Sequence, residues 1–131
     1  MIYSIATYRQ GGLSISMTKQ DEQRFTALKE AVAELGPMRR GTVLRLLVPC
    51  GKPGCRCQAD PPQLHGPYYN WTRKVKGKTV TVRLTPEQAR LMKQWIANSR
   101  RLDQLVKEML LVSECITEPL LQAARRSKKD S

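Results

Sequence analysis

The sequence is poor in aromatic side chains, in histidine and, along its middle, in acidic residues. Of 131 residues, Phe, Trp and Tyr together make up 5%, and there is a single histidine. From Met38 to Leu84 the one acid is Asp60. With few aromatics and an apolar fraction of 40%, a chain long enough for one domain has limited core, and an added staple helps it hold a fold. No apolar run approaches the ~20 residues of a transmembrane helix. The segment Met1–Ala6 lacks the basic stretch and continuous apolar run of a signal peptide. These absences argue against a membrane-embedded or exported chain and predict a cytoplasmic one whose thiols stay reduced.

What the chain has in excess is positive charge. There are 23 Lys and Arg against 11 Asp and Glu, a net charge of +12. Such an imbalance favours polyanionic partners and says nothing about fold. It is also uneven. Between Met38 and Leu84 lie ten basic residues: Arg39, Arg40, Arg45, Lys52, Arg56, Arg73, Lys74, Lys76, Lys78 and Arg83. The stretch 85–118 balances five basic residues against five acidic ones, which suits a scaffold or an interface better than a polyanion site.

Three of the four cysteines and the histidine fall within sixteen residues, Cys50-Gly-Lys-Pro-Gly-Cys55-Arg-Cys57 and then His65. In a reducing compartment, clustered cysteines are more often metal ligands than disulfides. Three thiolates and one imidazole make a closed tetrahedral set suited to structural zinc. Gly51, Pro53 and Gly54 allow the turn that returns Cys50 to Cys55. Cys55 and Cys57, two apart, share a side of an extended segment. The spacing departs from the usual pattern of two residues between paired cysteines, so a metal-free Gly/Pro loop is the competing reading. A catalytic metal would need an open position and a nearby general base, and only Asp60 is at hand, so no enzymatic activity is expected. Cys115, on an apolar helix stripe, reads as a core thiol.

The pattern predicts an α+β fold: an N-terminal helix, a small antiparallel sheet carrying the zinc-type Cys/His loop, and a long C-terminal helix. Residues 1–17 read as a flexible arm or an added edge strand. Residues 18–118 read as a single domain, with the loop at 50–67 and the long helix from 86, and residues 119–131 as a terminal segment with a basic tail. Thr18, followed by Asp21 and Glu22, opens a helix that Gly36-Pro37 closes; Phe25, Leu28, Val32 and Leu35 form its stripe. Residues 41–48, 68–75 and 79–84 read as strands, with Lys76-Gly77-Lys78 as a turn. Thr85-Pro86-Glu87-Gln88 is a strong helix start. On the second strand Tyr69, Trp71 and Arg73 share one face and Tyr68, Asn70 and Thr72 the other.

At Cys50–Tyr69 the chain resembles a family of small prokaryotic proteins that carry a Cys-Gly-Lys-Pro-x-Cys-Arg-Cys box, a short spacer, and His-Gly-Pro-Tyr before a basic strand. Here the boxes are Cys50–Cys57 and His65-Gly66-Pro67-Tyr68-Tyr69. The likeness runs from Gly41, through Gly77-Lys78-Thr79, to the neighbourhood of Trp95. Genes of this kind often lie near transposases and other mobile-element genes. The resemblance brings no activity with it; it implies the metal box and a mobile-element setting.

The expectation that follows is a non-enzymatic DNA-binding accessory protein serving a transposase or recombinase. Zinc fixes the loop through Cys50, Cys55, Cys57 and His65. Arg39, Arg40, Lys52, Arg56, Arg73, Lys74, Lys76 and Lys78 meet phosphates, with Tyr69 and Trp71 available to stack on bases unless they serve as core. Leu102, Leu105, Val106, Met109, Val112 and Ile116 give the long helix an apolar stripe for a homodimer or a partner recombinase. DNA is favoured over RNA. An RNA-binding ribonucleoprotein subunit and a protein–protein adapter working through the long helix are the alternatives.

Overall fold

The computed structural model describes residues 6–10 and 13–129. The strands β1 (Ala6–Gln10) and β2 (Leu13–Met17) come first, then helix α1 (Lys19–Ala33) and strand β3 (Thr42–Val48). A short 3-10 turn at Arg56–Gln58 precedes β4 (His65–Val75), β5 (Lys78–Leu84) and the long helix α2 (Pro86–Lys129). The expected α+β arrangement is therefore present, with an N-terminal helix, a three-stranded antiparallel sheet in the order β3-β4-β5 and a long C-terminal helix. Instead of joining the edge of that sheet, β1 and β2 pair with each other as a separate antiparallel hairpin. No helix among the described residues is long and apolar enough to cross a membrane.

The chain divides into two compact units, Met1–Leu35 with Arg101–Ser131, and Gly36–Arg100. In the first, α1 starts where its cap requires: the Thr18 side chain accepts a hydrogen bond from the Asp21 N–H at 3.1 Å, meeting one of the unpaired donors of the first turn. None of its residues is fully buried; Phe25, Leu28 and Val32 are half-buried. In the 101–123 part of α2, Leu105 and Val112 are buried within the chain, while Leu102, Met109 and Ile116 are half-buried beside them. Cys115 is exposed and is not the core thiol its stripe position suggested. It lies about 100° round the helix from Ile116, off the buried face. The helix continues past Pro119 to Lys129.

The second unit holds the sheet. Its strands pair with Val43 opposite Trp71 and Trp71 opposite Val82, so these three share one face. Trp71 packs with Met92 and Ile96 of α2, and Val43, Leu84 and Trp95 close around them. That face is the core. The opposite face carries rows Thr42–Thr72–Thr81 and Leu44–Asn70–Arg83, and no helix of this unit covers it. The β4–β5 turn has positive φ at both central residues, Lys76 and Gly77, the primed geometry that matches strand twist and that glycine adopts freely.

The start of α2 is a reciprocal cap. The Thr85 N–H donates to Gln88 Oε1 at 3.0 Å and the Gln88 N–H donates to Thr85 Oγ1 at 3.1 Å. Two further bonds tie the segment before β3 to α2: the Arg39 N–H donates to the Trp95 carbonyl at 3.2 Å, and Asn98 Nδ2 donates to the Pro37 carbonyl at 2.9 Å.

Candidate metal centre and basic surface

The end of β3, the 3-10 turn and the start of β4 bring four side chains to one point. Val48 pairs with His65, so the ladder sets the histidine beside the segment that leads into Cys50. Between them the loop folds on its own backbone: the Gln58 N–H donates to the Cys55 carbonyl at 2.9 Å and the Gln63 N–H to the Arg56 carbonyl at 3.1 Å. Gln58 Nε2 adds a bond to the Cys50 carbonyl at 3.2 Å. Gly66, with φ 121°, follows His65; a Cβ there would come within 2.6 Å of the Leu46 carbonyl oxygen, so β4 can lie this close to β3 only with glycine at that position.

The ligand atoms of Cys50, Cys55, Cys57 and His65 all lie within 4.8 Å of one another. Cys50 Sγ is 3.5 Å from Cys57 Sγ, and Cys55 Sγ is 3.2 Å from His65 Nε2. A tetrahedral ion at about 2.3 Å from sulfur and about 2.0 Å from nitrogen would hold its ligands about 3.8 Å (S–S) and about 3.5 Å (S–N) apart. The four side chains thus already stand near the separations such an ion demands, and they are close enough to bind one. All four cysteines of the chain are free thiols. The Cys50 N–H donates to Cys57 Sγ at 3.3 Å, the kind of backbone support that steadies a metal-bound thiolate.

The electrostatics separate the cysteines. Cys55 is pulled down to about 6, first by the hydrogen bond from the Cys57 backbone and then by those from Cys50, His65 and the Cys57 side chain. At Cys57 the Cys50 N–H favours the thiolate, but burial and the adjacent Cys50 and Cys55 groups outweigh it and push the thiol up. A thiolate beside a second thiolate is opposed by like charge. A cation at the centre removes that opposition for all three.

The cations expected to meet a polyanion divide by environment. Arg39, Arg40, Lys52, Arg56, Lys74, Lys76 and Lys78 are exposed and Arg73 is half-buried. The two aromatic candidates are not free. Trp71 is 4% exposed, and its Nε1–H donates to the Arg40 carbonyl at 2.9 Å. The Arg39 and Arg73 guanidiniums sit 4.5 and 4.1 Å from its ring centroid. It belongs to the core and offers no base-stacking surface. Tyr69 is half-buried on the same side, with Lys93 Nζ 5.9 Å from its ring. Leu105 and Val112, placed on the expected helix interface, are enclosed by their own chain, whereas Val106 is 43% exposed.

One constellation was missed. Arg83 lies over the Tyr68 ring at 4.4 Å and its Nε donates to Asn70 Oδ1 at 2.8 Å. The signal was in the alternation, which sets Tyr68, Asn70 and Thr72 together on one side of β4 and Thr79, Thr81 and Arg83 together on one side of β5. Only pairing β4 with β5 joins the two sets.

The chain belongs to the family described as "Domain of unknown function (DUF6788)", which matches residues 18–94, more than half its length. The match takes in α1, the three-stranded sheet, the Cys/His box and the first turns of α2. No curated protein and no solved structure matches the chain.

Proposed function

We propose that this protein is a non-enzymatic DNA-binding accessory protein, in which a zinc ion fixes the Cys50–His65 box and a basic β region meets the phosphate backbone. The observation that carries this reading is the charge of Met38–Leu84: ten basic residues against the single acid Asp60. Nine of the ten stand exposed and Arg73 is half-buried. Ordinary solvated surfaces intersperse both signs; a face that keeps one sign repels itself unless a polyanion covers it.

Zinc is the ion the donor set favours, because three thiolates and an imidazole select a soft to borderline tetrahedral metal. The set is closed, leaving no coordination position for a substrate, and Asp60 is the only acid in the loop. Its work is therefore structural. It ties the end of β3 to the start of β4 and fixes Lys52 and Arg56, which the box itself carries. The mobile-element setting implied by the resemblance makes a transposase or recombinase the enzyme such a protein would serve.

One observation favours a second reading, a protein–protein adapter. On α2, Val106, Leu110 and Leu121 are 43%, 61% and 50% exposed and fall within about 60° of one another round the helix. An apolar stripe of this kind suits a partner helix or a second copy. Fluorescence-anisotropy titration of the zinc-loaded protein with duplex DNA and with a structured RNA, at equal salt, tests the primary reading. Tighter binding to DNA supports it, tighter binding to RNA replaces it with a ribonucleoprotein role, and no binding to either leaves the adapter.

A further inference from the structure

We infer that the face of the β3-β4-β5 sheet turned away from α2 is the DNA-contacting surface, with Arg83 as a preorganised fork for one backbone phosphate. The inference rests on the DNA-binding reading and names the site that would perform it. Exposed arginines are normally mobile, and ordering one costs rotamer entropy on binding. Arg83 is exposed yet held twice: its guanidinium stacks on Tyr68 at 4.4 Å, and its Nε–H is bonded to Asn70 Oδ1 at 2.8 Å. Both partners come from β4, whose register puts Asn70 directly opposite Arg83.

Fixing Nε leaves the two terminal amino groups, which have no partner among the described residues. A planar pair of N–H donors suits two oxygens of a phosphate. Neither Asp nor Glu occurs between Pro61 and Pro86, so β4 and β5 themselves supply no carboxylate to compete for them.

Beside Asn70 the same row carries Leu44 of β3, 46% exposed, and polar rows follow. The next row is Thr42–Thr72–Thr81, three hydroxyls aligned across the strands, and beyond it Lys74 stands opposite Thr79. Lys74 is exposed. Four residues of strand separate the Arg83 row from the Lys74 row, about 14 Å at about 3.4 Å per residue. A backbone laid along the strands would meet the Arg83 fork, the threonine hydroxyls and then Lys74.

The test uses the full zinc-loaded chain and a duplex oligonucleotide, with dissociation constants measured over a range of salt. Arg83→Gln is expected to weaken binding about tenfold or more and to lower the salt slope by about 1. Arg83→Lys keeps the charge and so nearly the whole slope, but loses fork and stack, and should still weaken binding about threefold to tenfold. Asn70→Ala removes no charge and should cost a similar factor by freeing Nε. Lys107→Gln, an equal loss of charge on α2, supplies the comparison. If the unmodified protein binds and the three sheet variants behave like Lys107→Gln, this inference is wrong and the DNA-binding reading stands. If the unmodified protein binds no DNA, both fall.

Discussion

Replacing Trp71 with phenylalanine separates the two roles an aromatic on a basic strand can play. The indole is 4% exposed and packs on Met92 and Ile96. Phenylalanine forfeits the Nε1–H bond to the Arg40 carbonyl, a net loss of about 1 kcal/mol. It also weakens the two guanidinium contacts from Arg39 and Arg73, together up to about 1 kcal/mol. The smaller ring leaves a gap against the helix that adds about 1 kcal/mol more. The sum is about 3 kcal/mol, a shift of about 10 °C or more in Tm for a unit of this size. Thermal and urea unfolding followed by circular dichroism measure it. DNA affinity at a temperature where the variant is folded should change less than about threefold, because the ring touches no solvent-side ligand. An unchanged Tm with a large loss of DNA binding would refute the core assignment and restore Trp71 as a base-stacking residue.

Two further substitutions probe other parts of the structure. Cys57→Ser takes away the most buried of the four candidate ligands. Elemental analysis should find equimolar zinc in the unmodified reduced protein and far less in the variant, and a chelator should lower the Tm of the former only; metal-free reduced protein with an unchanged Tm would remove the metal from the account. Thr85→Ala breaks the reciprocal cap at the start of α2 and should cost about 1 kcal/mol in urea unfolding without affecting metal content; a change below about 0.3 kcal/mol would mean that packing alone sets that helix start.

Where local chemistry dictates structure, the sequence was legible. Thr18 and Thr85 cap the helices they were expected to cap, and Lys76-Gly77 makes the hairpin turn, because caps and turns depend on a few adjacent residues. The four candidate ligands were legible for a related reason, since Cys and His side chains crowded among Gly and Pro have few other uses. Long-range packing was not. Nothing local says that β1 and β2 pair with each other instead of extending the sheet, or that Leu105 and Val112 are satisfied within the chain while Val106 is left outside. The Arg83–Tyr68–Asn70 group was invisible as a unit, since its members come from two strands and meet only through their register.

The most direct test of the central claim is the affinity of the zinc-loaded protein for duplex DNA as a function of salt. If about four phosphates are neutralised by the exposed cations, log K should fall against log salt with a slope near −3.6. Stripping the metal should weaken binding at every salt concentration, as the box and the cations it carries lose their fixed positions. Binding that is absent at low salt, or present but indifferent to salt, would contradict a basic surface made for the phosphate backbone.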